Sequence, residues 1–228
     1  MDFLIEGFYE GLLRVLTGDP EVWRAAGVTL QVSLWATLLA SSLGLPAGYL
    51  LAVARFRGRG LVVGLLQSLL GFPTVVIGLL VYGLLSRRGP LGGMDLLFSP
   101  SAIVAGLCVL ALPIAAVYGM TSVAGVDAGA RETALTLGAS AGRAAWTVFR
   151  EARFGLMAAV LGAFGRVASE VGIAMMLGGN IEGHTRTLTT AIALESMKGE
   201  FGFGIALGMV LMSIMIAVSF LSRLLQRP

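Results

Sequence analysis

Apolar residues fall in long runs along this chain, and short polar stretches separate the runs. A membrane-spanning helix needs about 20 consecutive, mostly apolar residues. Residues 28–54, 61–85, 101–124, 155–178 and 203–222 meet that length, so the pattern predicts five spans. Pro46, Pro73 and Pro113 lie inside the first three, and a kink is expected at Pro46. Asp19-Pro20 has the form of a helix cap followed by proline at the first helical position, so a helix is expected to begin ahead of the first span.

The first 27 residues follow a different period. Asp2, Glu6, Glu10 and Arg14 recur every fourth position, and Leu4, Ile5, Phe8, Tyr9, Leu12, Leu13 and Leu16 fill the opposite side. That pattern suits a helix lying on the membrane surface. The opening MDFLIEGFYE is acidic, unlike the basic start of a secretory signal.

Composition agrees with the runs. Of 228 residues, 57% are hydrophobic and only 13% charged, against about 25% charged in soluble domains. The mean hydropathy is +0.89. Glycine is abundant, at 32 residues, as suits closely packed membrane helices. A lone cysteine, Cys108, excludes an intrachain disulfide, and no Cys/His cluster has metal-ligand spacing. No motif suggests nucleic-acid binding. The reading is one all-α membrane domain over 1–228, with an interfacial segment at 1–27, a polar loop at 125–154 and another at 179–202.

The connections differ in charge. One set holds Arg55, Arg57, Arg59, Arg131, Arg143, Arg150, Arg153, Arg223 and Arg227 against Asp127, Glu132 and Glu151. The other holds Arg14, Arg24, Arg87, Arg88, Arg186 and Lys198 against nine acidic residues. The positive-inside rule makes the first set cytoplasmic. The N-terminus is then outside and the C-terminus inside.

The longest cytoplasmic connection reads GVDAGARETALTLGASAGRAAWTVFREARFG. Arg131 to Leu137 is expected to form a short helix, Gly138 to end it in a left-handed conformation, and Ala141 to Arg153 to form a second helix. This helix–glycine–helix elbow is a docking shape without a nucleophile–base pair. ETALTLG resembles the EAA loop of ABC-transporter permeases, E-A-A-x3-G-x9-I-x-L-P: Glu132, Ala134 and Gly138 match it. Thr133 takes the second motif position and Val148 the isoleucine position, while Arg150 and Glu151 stand where the family often has Leu-Pro. The resemblance implies that Arg131, Glu132, Ala134, Gly138 and Ala139 couple this chain to a separate ATP-binding subunit.

The fourth expected span carries Arg166 and, four residues on, Glu170. A charge at the bilayer centre costs about 2.5–3.5 kcal/mol on insertion scales. Four residues apart, the two share a helical face and can pair, with Ser169 and Ile173 beside them. Two readings stand: a lock between helices, or a lining of the path in which Arg166 attracts an anion. Gly162, Gly165 and Gly172 suit close helix packing. Beyond the span, GGNIEGHTRTLTT offers turn glycines at 178, 179 and 183 and polar groups on Asn180, His184, Thr185, Arg186, Thr187, Thr189 and Thr190. Thr187 to Lys198 is expected to be a short helix with Leu188, Ile192 and Glu195 on one stripe. The loop either caps the bundle and docks a partner, or forms an outer gate that includes Asn180, His184, Thr185, Arg186 and Thr187.

FGRVASEVGIAMMLGGNIEGHTRTLTTAIALESMKGEF resembles the permease of tungstate ABC importers, within the wider molybdate/sulfate oxyanion group. That resemblance implies a second copy of the chain, two ATP-binding subunits carrying ATP and Mg, and an extracytoplasmic oxyanion-binding protein, all at a bacterial or archaeal cell membrane. The chain itself lacks the G-x-x-x-x-G-K-[ST] phosphate loop, so ATP hydrolysis is expected in the partner and no cofactor in this chain. Molybdate or sulfate is the rival cargo. An ATP-independent transporter or channel using Arg166 and Glu170 as a charge relay is the rival class, and a membrane scaffold leaves the elbow unexplained.

Overall fold

A computed structural model describes residues 2–225. Among them there are eleven α-helices, one 3-10 turn and no strand. Helix α1 (Asp2–Leu16) precedes α2 (Pro20–Val53), which Asp19 caps by accepting the Glu21 N–H. Proline at the first helical position completes the start foreseen from the sequence. At 34 residues α2 is roughly 51 Å long. It therefore overruns a bilayer core of about 30 Å, and it continues unbroken past Pro46.

Three helices are each long and apolar enough to cross a membrane: α2, α5 (Pro100–Ala124) and α11 (Phe201–Leu225). The other two expected spans are not single helices. Residues 61–85 divide into α3 (Arg59–Leu70) and α4 (Thr74–Leu85), which meet at 101° across Gly71-Phe72-Pro73. Pro73 has no N–H to continue the ladder and disfavours helical backbone at the residue before it. Residues 155–178 divide into α8 (Arg153–Ala168) and α9 (Gly172–Gly178), which meet at 61° across Ser169-Glu170-Val171.

The core joins α2, α4, α5, α8 and α9 through side chains such as Val32, Ile77, Ile103, Leu107, Val167, Ile173 and Leu177. In lipid this packing rests on van der Waals contact and close approach, because the tails are as apolar as leucine. Helices α2 and α5 run parallel and nearly touch at Gly48. A Cβ there would lie 2.5 Å from the Ala116 carbonyl oxygen.

At one end of the bundle the polar segment forms α6 (Ala128–Thr136) and α7 (Ala141–Glu151). Val148 and Ala152 pack with Val123 and Leu156, and Phe149 stacks on Tyr49 at 5.4 Å. At the other end α10 (Leu188–Lys198) packs on α11 and on the start of α2. Helix α1 lies against α11 through Gly7 and Gly11, not through its leucine side. Ile5, Phe8, Tyr9, Leu12, Leu13 and Leu16 are exposed. Arg14 pairs with Glu10 and Asp19 and covers the Phe203 ring. Burial alone would lower its pKa, but the two carboxylates outweigh burial and raise it.

Candidate functional site at two broken spans

Glu170 stands in the break, just outside α8, yet Arg166 still reaches it. Arg166 Nη1 donates to Glu170 Oε2 at 2.7 Å. The other oxygen, Oε1, accepts from the Gly172 N–H at 3.1 Å and more weakly from Ile173 at 3.5 Å. One carboxylate thus pairs with a cation and caps the start of α9, where unsatisfied N–H groups and the helix dipole favour negative charge. The Glu170 carbonyl accepts from Thr189 Oγ1 at 2.8 Å. The Glu170 side chain is only 5% exposed, whereas that of Arg166 is 42% exposed.

Arg166 therefore has a free flank. Ser169, also exposed, turns its hydroxyl to the Arg166 carbonyl at 3.1 Å. Gly162 and Gly165 meet nothing within 4 Å of a built Cβ, so the packing foreseen for them is not made within one chain. Gly172 does pack: its Cβ position lies 3.3 Å from Val75 Cγ2 and 3.7 Å from Thr74 Oγ1. The break before α9 thus sits against the break before α4.

The expected gate residues are mostly engaged with other residues of the chain. Thr185 Oγ1 donates to the Gly178 carbonyl at 2.5 Å and accepts from the Ile181 N–H at 3.0 Å. Thr187 and Thr190 close a reciprocal cap on α10, the short helix expected over Thr187 to Lys198. Asn180, at φ 52°, turns Nδ2 to the Thr190 carbonyl at 3.5 Å. Arg186 pairs with Glu21, and with Glu182 at 3.5 Å. Glu195 is buried and receives Lys198 Nζ at 2.8 Å. His184 is exposed. The loop is thus a knit cap whose threonines hold the Glu170 backbone from behind.

The elbow has the foreseen form. Gly138 is left-handed at φ 85°, and its N–H and that of Ala139 return to the carbonyls of Leu135 and Ala134. Glu132 is exposed, while Arg131, Ala134 and Ala139 are half-buried. Two apolar side chains stand out on the elbow, Leu137 beside the turn at 83% and Trp146 midway along α7 at 68% exposure. The sequence reading passed over both. It also missed Glu21, the partner of Arg186, and Thr29, whose hydroxyl accepts the Leu188 N–H at 2.8 Å. The repeat Thr29, Ser33, Thr37, Ser41 along α2 was the available signal, since all four are buried.

The family described as binding-protein-dependent transport system inner membrane component matches residues 44–227. A probable anion ABC transporter permease protein of Haloferax volcanii is 41% identical over 199 residues, covering 85% of this chain and 86% of the relative. The tungstate uptake system permease protein TupB of Campylobacter jejuni is 37% identical over 227 residues, covering 100% of this chain and 95% of the relative. Among solved structures, the MetNI methionine ABC transporter in inward-facing conformations superposes with a TM-score of 0.68 at 19% identity, covering 91% of this chain and 95% of that one. That likeness establishes the fold.

Proposed function

The chain belongs to the binding-protein-dependent transport system inner membrane components, the membrane subunits of ABC transporters, and from that premise we propose that it carries tungstate inward. Two copies would form the path, with the exposed strip of Gly162, Arg166 and Ser169 facing it. The observation that carries this reading is Arg166, a partly exposed cation held by Glu170 at the break before α9, which itself sits against the break before α4. Glu170 neutralises part of Arg166 and fixes its position, so an oxyanion meets an oriented donor. The charge bias of the connections supports an elbow in the cytoplasm and a 179–187 loop outside.

The elbow supplies the coupling. Leu137 and Trp146 are apolar side chains suited to a groove on an ATP-binding partner, which would bring the ATP and Mg. Helix α7 leads through the single joint Ala152 into α8, the helix that carries Arg166. Its neighbour Phe149 grips α2 at Tyr49. Closure of the ATP-bound partners would shift α7, α8 and α2 together, and so tilt the break at Glu170. ATP drives the switch to the extent that it binds the closed state more tightly than the open one.

The test is ATP hydrolysis by the reconstituted complex with its binding protein, given tungstate, molybdate or sulfate in turn. Stimulation is expected with tungstate at the lowest concentration. Equal stimulation by sulfate would remove tungstate as the cargo. Anion flux through the chain without ATP would remove the importer reading.

A further inference from the structure

The loop joining α4 to α5 encloses a concave site that the path above does not use. Tyr82, Ser86, Arg87, Arg88, Asp95 and Phe98 line it, and its volume is about 460 Å³. The loop is tightly wound. The Gly89 N–H donates to the Ser86 carbonyl at 2.7 Å, Leu91 to Leu84 at 3.0 Å, and Asp95, at φ 47°, to Gly92 at 3.2 Å.

Charge sets this cavity apart from its surroundings. The side of the protein it occupies carries nine acidic residues against six basic ones. Three of those six are already paired: Arg14 with Glu10 and Asp19, Arg186 with Glu21 and Glu182, and Lys198 with Glu195. Among the described residues Arg87 and Arg88 enter no ion pair. Asp95 is the one carboxylate in the lining, so two cations face one anion.

The cavity is joined to the broken span. The Phe98 N–H donates to the Leu177 carbonyl at 2.8 Å, and the Phe98 ring lies over Gly179. Leu177 is in the last turn of α9, whose first turn is capped by Glu170. Seven residues of helix separate the two by roughly 10 Å.

We propose that the Arg87–Arg88 cavity is a capture site for a tetrahedral dianionic oxyanion at the outer mouth, one length of α9 above Arg166. The inference rests on the importer reading. Guanidinium forks match tetrahedral oxyanions by paired hydrogen bonds. A concave site whose lining is net positive also concentrates its counter-ion, an effect needed most on an otherwise acidic face.

The test uses the complete transporter in nanodiscs, without binding protein, and measures tungstate binding at low and high salt. The variants are Arg87→Gln/Arg88→Gln and Asp95→Asn, with Arg24→Gln as a control on the same side. The double variant is expected to weaken tungstate binding about tenfold at low salt, within the range for focused fields. Asp95→Asn is expected to strengthen binding, and high salt to erase both differences. A simple loss of folding cannot produce opposite signs at neighbouring residues. Unchanged tungstate binding in the double variant overturns the proposal. So does a loss that follows the anionic-lipid content of the disc. ATP-driven tungstate uptake by the wild-type complex separates the two layers. Its absence removes the importer reading, and its presence with unaltered binding in the variants removes only the capture site.

Discussion

Replacing Arg166 by Met leaves the Glu170 carboxylate buried with only neutral partners. Removing one member of a buried pair commonly costs about 3–5 kcal/mol. The low end, about 3 kcal/mol, is expected because Arg166 is partly exposed. Glu170→Gln should be milder, about 1 kcal/mol, since an amide oxygen can still accept from Gly172 and Ile173. Thermal unfolding of the purified protein checks this order, and a larger loss for Glu170→Gln would contradict it. Thr189→Val removes the donor to the Glu170 carbonyl and should cost about 1–2 kcal/mol, whereas Thr189→Ser keeps the hydroxyl. Equal stability of the two Thr189 variants would mean that this hydrogen bond contributes nothing.

Among the elements, the elbow gives the sharpest test. At φ 85° a Val at position 138 would be strained by about 1–2 kcal/mol, while open space around Gly138 removes any packing penalty. Gly138→Val should therefore insert and fold, yet hydrolysis by the complex should no longer respond to loaded binding protein. Normal stimulated hydrolysis would separate the elbow from coupling. Sidedness can be read from cysteine labelling in sealed right-side-out vesicles. Glu182→Cys should react with an impermeant reagent, and Leu137→Cys, at an elbow position that is 83% exposed, should not. The reverse pattern would invert the topology.

Where the sequence was legible, a local rule had no competitor. Asp19-Pro20 and Gly138 each name a cap or turn whose geometry depends on neighbours in the chain. The two breaks were not legible because hydropathy continues across them. Pro46 and Pro113 sit inside unbroken helices and Pro73 beside a 101° bend, and residue type alone does not distinguish the three. Glu170 read as a mid-helix charge, and only the meeting of α4 with α9 and Thr189 shows why the backbone stops there. Arg186 looked like a free cation in a polar loop. Its partner Glu21 lies 165 positions away, beyond any local pattern.

At the scale of the molecule, two surfaces besides the apolar side of α1 stand uncovered among the described residues. Helix α3 buries no residue, and the strip of α8 around Gly162 and Arg166 has no neighbour. Two copies per complex are expected, placing the α8 strips at a shared path, and the mass of the purified complex measures the stoichiometry. One copy with full transport would leave that strip without its role.

The most direct test of the path pairs stability with transport in the Arg166→Met/Glu170→Gln double variant. Glutamine keeps the acceptor for α9, and removing both charges leaves neither unpaired. Thermal stability should return most of the way from the Arg166→Met value toward wild type. ATP-driven tungstate uptake in proteoliposomes, measured beside it, should stay at least tenfold below wild type, which is about 1.4 kcal/mol of lost interaction with the passing anion. Recovery of uptake together with stability would make Arg166 and Glu170 a lock between helices and place the oxyanion path elsewhere.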